Sequence, residues 1–187
     1  MWSAFAAHAA QPVRILAFGD SLTAGFNLAA GDAFPAQLEK ALAAKGHQVE
    51  VINAGVSGDT TAAALARFDW AVPDKIDAAV VALGANDALR GLPPAQARQN
   101  LEAIVTRLKA RGIEVLLAGM LAPRNYGDSY VKAFDAIYPE LAKAHDLVLY
   151  PFFLEGVALK SKFNLSDGLH PNARGIALIV RNILPSV

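Results

Sequence analysis

Residues 13–25 read VRILAFGDSLTAG. The first seven form an apolar run with one arginine, closed by Gly19, which is the pattern of a strand covered on both faces. Asp20, Ser21 and Thr23 then supply the polar side chains that cap a helix or turn a chain. A buried strand running straight into a capped turn is how a βα unit begins, so this stretch points to an α/β chain. Four more short apolar runs repeat the pattern, at residues 48–53 (QVEVIN), 78–84 (AAVVALG), 113–119 (IEVLLAG) and 147–150 (LVLY).

Helical patterns fill the intervals. Residues 96–111 are the clearest: Leu101, Ile104, Val105 and Leu108 recur at helical spacing, while Arg98, Glu102, Arg107 and Lys109 fall on other faces. Pro93 and Pro94 precede this segment and Gly112 follows it, as start and stop signals. Further helices are expected at 32–44, 60–68, 130–145 and 172–184. Strands alternating with helices predict right-handed βαβ connections and a five-stranded parallel sheet with helices on both faces. No repeat, low-complexity linker or change of composition divides residues 12–187, which are expected to form a single domain.

Composition removes several classes of function. The 187 residues carry 17 Lys+Arg against 17 Asp+Glu and no cysteine, so there is no disulfide framework, thiolate metal site or cysteine nucleophile. A balanced charge without basic runs gives no footprint for nucleic acid. No apolar stretch approaches the ~20 residues needed to span a membrane, so stable insertion is not expected. No GxGxxG, Walker A or HExxH motif is present, and neither a cofactor nor a metal is expected. Nothing in the residues bears on oligomeric state. The opening segment, residues 1–11, begins MWSAFAAHAA and has an A-x-A pattern before Gln11 and Pro12. It reads either as the tail of a signal peptide, with a periplasmic or secreted address, or as a loose N-terminus of a cytoplasmic protein.

In an open parallel sheet, ligands bind beyond the carboxyl ends of the strands. The residues there are Gly19-Asp20-Ser21-Leu22 after the first strand, Gly55-Val56-Ser57-Gly58-Asp59 after the second and Gly84-Ala85-Asn86-Asp87 after the third, with Asp167-Gly168-Leu169-His170-Pro171 before the last helix. Acyl transfer requires a nucleophile, a base, a carboxylate that orients the base, and donors aimed at the developing oxyanion. Ser21 is the candidate nucleophile. His170, held in a turn by Pro171, is the candidate base, and Asp167 is the carboxylate that a turn through Gly168 can bring to it. The Ser21 and Gly58 N–H groups and the Asn86 amide are the candidate oxyanion donors. Taken singly, each segment reads equally well as a cap, turn or loop, with Asp20 and Asp59 accepting backbone N–H bonds. The other histidines fit less well, and the rival pair His145-Asp146 falls at the amino edge of the sheet.

Taken in order, Gly19-Asp20-Ser21-Leu22, Gly55-x-x-Gly58, Gly84-x-Asn86-Asp87 and Asp167-x-x-His170 resemble the SGNH hydrolases, also called GDSL esterases and lipases. The chain is most similar to their bacterial acyl-CoA thioesterase, lysophospholipase and arylesterase branch, from Val13 to Pro185. This resemblance implies a flavodoxin-like three-layer α/β/α sandwich, a triad of Ser21, Asp167 and His170, and oxyanion donors from Ser21, Gly58 and Asn86. The implied substrates are small-molecule carboxylic esters or thioesters, and the implied compartment is outside the cytoplasm. One departure is Ala85, where that branch often has glycine; a small local effect on the Asn86 loop is expected.

Leu89, Leu92, Leu121, Tyr126, Phe152 and Phe163 are expected to line the acyl and leaving-group pockets, although Phe152 also suits a core position. Two alternatives stand beside the esterase. One keeps the triad but acts on carbohydrate O-acetyl esters. The other is a non-catalytic flavodoxin-like module in which residues 21–25 cradle a phosphate, which leaves Asp167, His170 and Asn86 without a role.

Overall fold

The computed structural model of the chain describes residues 11–187, so the opening decapeptide and the expectation attached to it lie outside the described residues. Five parallel strands form one sheet: Val13–Gly19 (β1), Val49–Gly55 (β2), Ala78–Ala82 (β3), Glu114–Ala118 (β4) and Val148–Tyr150 (β5), in the order β2-β1-β3-β4-β5. This is a flavodoxin-like order, and its switch point lies at β1, between β2 and β3. The register pairs Gly19 with both Gly55 and Ala82, so these three strands end level with one another. Their following loops therefore emerge side by side.

Nine α-helical segments lie between or after the strands among the described residues: Ser21–Ala24 (α1), Phe34–Ala44 (α2), Thr61–Ala66 (α3), Phe68–Ala71 (α4), Ala85–Leu89 (α5), Pro94–Ala110 (α6), Asp128–Asp135 (α7), Ile137–His145 (α8) and Ala173–Ile183 (α9). α2 packs on α9, while α3, α6 and α8 pack together, giving the two outer layers of an α/β/α sandwich. The apolar stripe expected on α6 is buried as Leu101, Ile104, Val105 and Leu108. On α9, Ile176, Ile179, Val180 and Ile183 form the corresponding face, and Asn172 caps the helix by accepting the Gly175 N–H. Leu16, Phe18, Val81 and Leu117 fill the sheet's share of the core, with Leu83 just past the end of β3.

Two helices differ from expectation. Residues 130–145 do not form one helix: α7 and α8 meet at Ala136. Pro139 explains the break, because its ring has no N–H to donate and clashes with the carbonyl four residues back, at Asp135. Residues 60–68 are also divided, with Arg67 at the junction of α3 and α4. Expected boundaries elsewhere shift by a residue or two. The short helices α1, α4 and α5 were not expected from the pattern, since each is about one turn and too short to show a period.

Candidate active site

β1 delivers Ser21. Asp20, fully buried, caps α1 by accepting the Leu22 N–H at 3.0 Å, and Ser21 follows as the first residue of that turn. The Ser21 Oγ lies 3.0 Å from His170 Nε2, and His170 Nδ1 lies 2.7 Å from Asp167 Oδ2. Asp167 Oδ1 accepts the N–H groups of His170 at 3.0 Å and Leu169 at 2.9 Å, through a turn in which Gly168 takes φ +71°. Those two backbone bonds, with the bond to the imidazole, hold the Asp167 carboxyl down at about 2. It is therefore ionised at neutral pH and can only accept. This places the imidazole proton on Nδ1 and leaves Nε2 to accept the serine hydroxyl. The Phe26 ring lies over the imidazole, with centroids 4.4 Å apart.

The remaining polar groups converge from β2 and β3. Gly58 takes φ +87°, and its carbonyl accepts Arg90 Nη2 at 3.0 Å. Asn86 Nδ2 donates to the Asp59 carbonyl at 3.0 Å and reaches Asp20 Oδ2 at 3.4 Å. Asn86 rides on α5, whose start is fixed in two ways. Gly84 takes φ +110°, where a Cβ would stand 2.2 Å from the Tyr138 hydroxyl. Asp87, buried beside it, accepts the Thr61 N–H at 2.8 Å and the Thr61 hydroxyl at 2.7 Å, while Asn100 Nδ2 donates to the same hydroxyl at 3.0 Å. This network ties α5 to α3 and α6. Burial of Asp20 pushes its carboxyl up to about 7, against the lowering effect of its bond from Leu22.

Asp20 behaves as expected, accepting a backbone N–H. Asp59 does not: its carboxylate pairs with Arg67 Nε at 2.5 Å, and only its backbone carbonyl serves the Asn86 loop. His145 lies 3.3 Å from Glu102, just before the amino end of β5 and at the opposite edge from Ser21.

The residues expected to line the pocket are spread over the loops of this edge. Leu89, Leu121 and Tyr126 are exposed, and Leu92, Phe152 and Phe163 are half-buried. Tyr126 donates its hydroxyl to the Leu89 carbonyl at 2.8 Å, and Tyr130 donates to that of Leu92 at 2.9 Å, so the loops after β3 and β4 are pinned together. Phe163 packs beside Lys162 and Arg174, toward α9. Phe153, next to Phe152, is core and meets Phe34 edge to face. Contacts that sequence reasoning missed are those of Phe26, Arg67, Arg90 and the Thr61–Asp87–Asn100 network. Only the polar Asp87 beside Asn86 gave any local signal for them, because their partners lie elsewhere in the sequence.

A parallel α/β/α sandwich in which a serine just past β1 is hydrogen-bonded in series to a histidine and an aspartate has the arrangement of a serine hydrolase. The sequence profile of the GDSL-like lipase/acylhydrolase family matches residues 17–178, and the chain belongs to that family. It is 44% identical over 169 residues to the thioesterase 1/protease 1/lysophospholipase L1 of Escherichia coli (strain K12), covering 90% of this chain and 79% of that protein. It is 41% identical over 162 residues to an arylesterase of Vibrio mimicus, covering 84% and 80% respectively. Among solved structures, the SGNH-hydrolase family esterase AlinE4 superposes with a TM-score of 0.82 at 49% identity, covering 95% of this chain and 96% of that one. Among the described residues, no helix is long and apolar enough to cross a membrane.

Proposed function

We propose that Ser21, His170 and Asp167 form the catalytic triad of this hydrolase, and that its substrates are esters or thioesters of apolar acyl or aryl groups. The observation that carries this reading is the unbroken chain from Ser21 Oγ through His170 to Asp167, at 3.0 and 2.7 Å. His170 Nε2 takes the hydroxyl proton as Oγ bonds to the carbonyl carbon. The same nitrogen then returns the proton to the departing alcohol or thiol as the carbon–oxygen or carbon–sulfur bond breaks. Water, deprotonated by His170, attacks the acyl-enzyme and releases the acid and Ser21.

The negative oxygen of each tetrahedral intermediate is received by the N–H groups of Ser21 and Gly58 and by Asn86 Nδ2. Both Asn86 amide protons are engaged before substrate arrives, and the 3.4 Å contact to Asp20 is the longer of the two. That proton is the one exchanged for the oxyanion, while the bond to the Asp59 carbonyl keeps the amide in place.

The names of the relatives, thioesterase, lysophospholipase and arylesterase, agree with a site bordered by the exposed apolar residues Leu89, Leu121 and Tyr126. The test is Ser21→Ala assayed on p-nitrophenyl esters of increasing chain length, with an acyl-CoA and an acetylated sugar alongside. Loss of all hydrolysis with the fold intact is expected, with apolar acyl or aryl esters preferred by the parent enzyme. Retained hydrolysis contradicts the triad, and acetate release from the sugar alone contradicts the substrate class.

A further inference from the structure

The three oxyanion donors proposed above sit on three separate loops, after β1, β2 and β3. Stabilising one oxygen requires that they keep fixed positions relative to one another, and a misplacement of about 1 Å costs on the order of 100-fold in rate. One buried side chain, which takes no part in the chemistry described so far, touches the support of all three.

Arg67 is 6% exposed and lies at the junction of α3 and α4. Its Nη2 donates to the Gly19 carbonyl at 3.0 Å and to the Ala54 carbonyl at 2.9 Å, so it clasps the last turns of β1 and β2. Its Nε donates to Asp59 Oδ2 at 2.5 Å, and the guanidinium carbon stands 4.6 Å from the Phe18 ring centroid. Gly19 leads into Asp20 and Ser21. Asp59 follows Gly58 directly, and its carbonyl holds Asn86 Nδ2 at 3.0 Å. Each donor therefore lies within two residues, or one further hydrogen bond, of a group that the same guanidinium holds.

A buried ion pair is a poor source of stability, because desolvation offsets most of the attraction. The planar fork of an arginine, however, fixes several acceptors at set angles, which neither an ammonium nor an aliphatic side chain does. We infer that Arg67 is a positioning residue for the oxyanion donors, holding the loops of Ser21, Gly58 and Asn86 in mutual register through the Gly19 and Ala54 carbonyls and Asp59. This inference rests on the triad and oxyanion reading given above.

The test compares Arg67→Lys and Asp59→Asn with the parent enzyme on a p-nitrophenyl ester, with the concentration of competent sites counted by titration with a fluorophosphonate. Arg67→Lys keeps the charge and loses the fork. Asp59→Asn keeps the backbone carbonyl that Asn86 uses and loosens the clasp, and it serves alone if Arg67→Lys does not fold. The expected result is a fall of about 10–100-fold in kcat per titrated site, with KM changed by less than about threefold and the rate of phosphonylation falling in step with kcat. A purely structural role lowers the melting temperature and the number of titrated sites but leaves kcat per site within about threefold of the parent, and that result overturns the inference. If Ser21→Ala retains activity, it is the triad reading that fails, and this outcome is distinct from an inactive Ser21→Ala beside a fully active Arg67→Lys.

Discussion

His170 Nε2 stands 3.0 Å from the Ser21 hydroxyl, across 149 residues of sequence. Only the neutral imidazole can accept that proton, so kcat/KM rises with pH as His170 loses its charge, and a profile flat from acidic to neutral pH contradicts the assignment. Asp167 does not set this limb. Its carboxyl, held at about 2, stays ionised from mildly acidic to neutral pH.

Asp167→Asn tests the third member of the chain. The amide can donate where the carboxylate only accepts, so it no longer selects the tautomer with its proton on Nδ1. A fall of about 10²–10⁴ in kcat is expected, with KM little changed. The stability contribution has the sign of a depressed carboxyl: it is present above 3.8 and lost as pH falls toward about 2. Thermal melts at pH 5 and pH 2.5 should show the parent losing more stability on acidification than Asp167→Asn. An equal loss in both proteins contradicts this.

Asp20 has the opposite sign. Its carboxyl is raised from 3.8 to about 7, so the folded protein holds that proton more tightly than the unfolded chain. The Asp20 contribution to stability is therefore fully present below about pH 4 and is lost as pH rises through about 7. Relative to Asp20→Asn, the parent should lose stability between pH 5 and pH 8, as measured by denaturant midpoints. A difference that does not vary with pH rules out the raised value.

Gly84→Ala places a methyl group where the Tyr138 hydroxyl stands, at a φ of +110° that side chains rarely adopt. A loss of roughly 1–3 kcal/mol is expected from the backbone alone. Because Gly84 leads into the helix carrying Asn86, kcat should also fall, and removing the clash with Gly84→Ala/Tyr138→Phe should restore part of it. Unchanged kcat in the single variant means that Asn86 is not positioned through this turn.

The parts of the fold and candidate site that were legible in the sequence are those whose signal is local. Asp167 and His170 are three residues apart, and Ser21 stands two residues past the end of β1, so the structure brings together groups that the chain already marked out. The level ends of β1, β2 and β3 then bring Gly58 and Asn86 alongside. Arg67 could not be found this way, because it acts on the backbone carbonyls of Gly19 and Ala54, which carry no side-chain signature. Asp59 looked like a loop cap because its partner, Arg67, lies eight residues on, at the far end of α3. The division of residues 130–145 is legible in Pro139, which has no N–H to continue a helix.

The central claim is that Ser21 is the nucleophile. Intact-mass analysis after treatment with a fluorophosphonate, followed by peptide mapping, tests it most directly. The expected result is one adduct per chain on Ser21, complete loss of hydrolysis in step with labelling, and no adduct on Ser21→Ala. An adduct on another residue, or full esterase activity in a quantitatively labelled protein, contradicts the account.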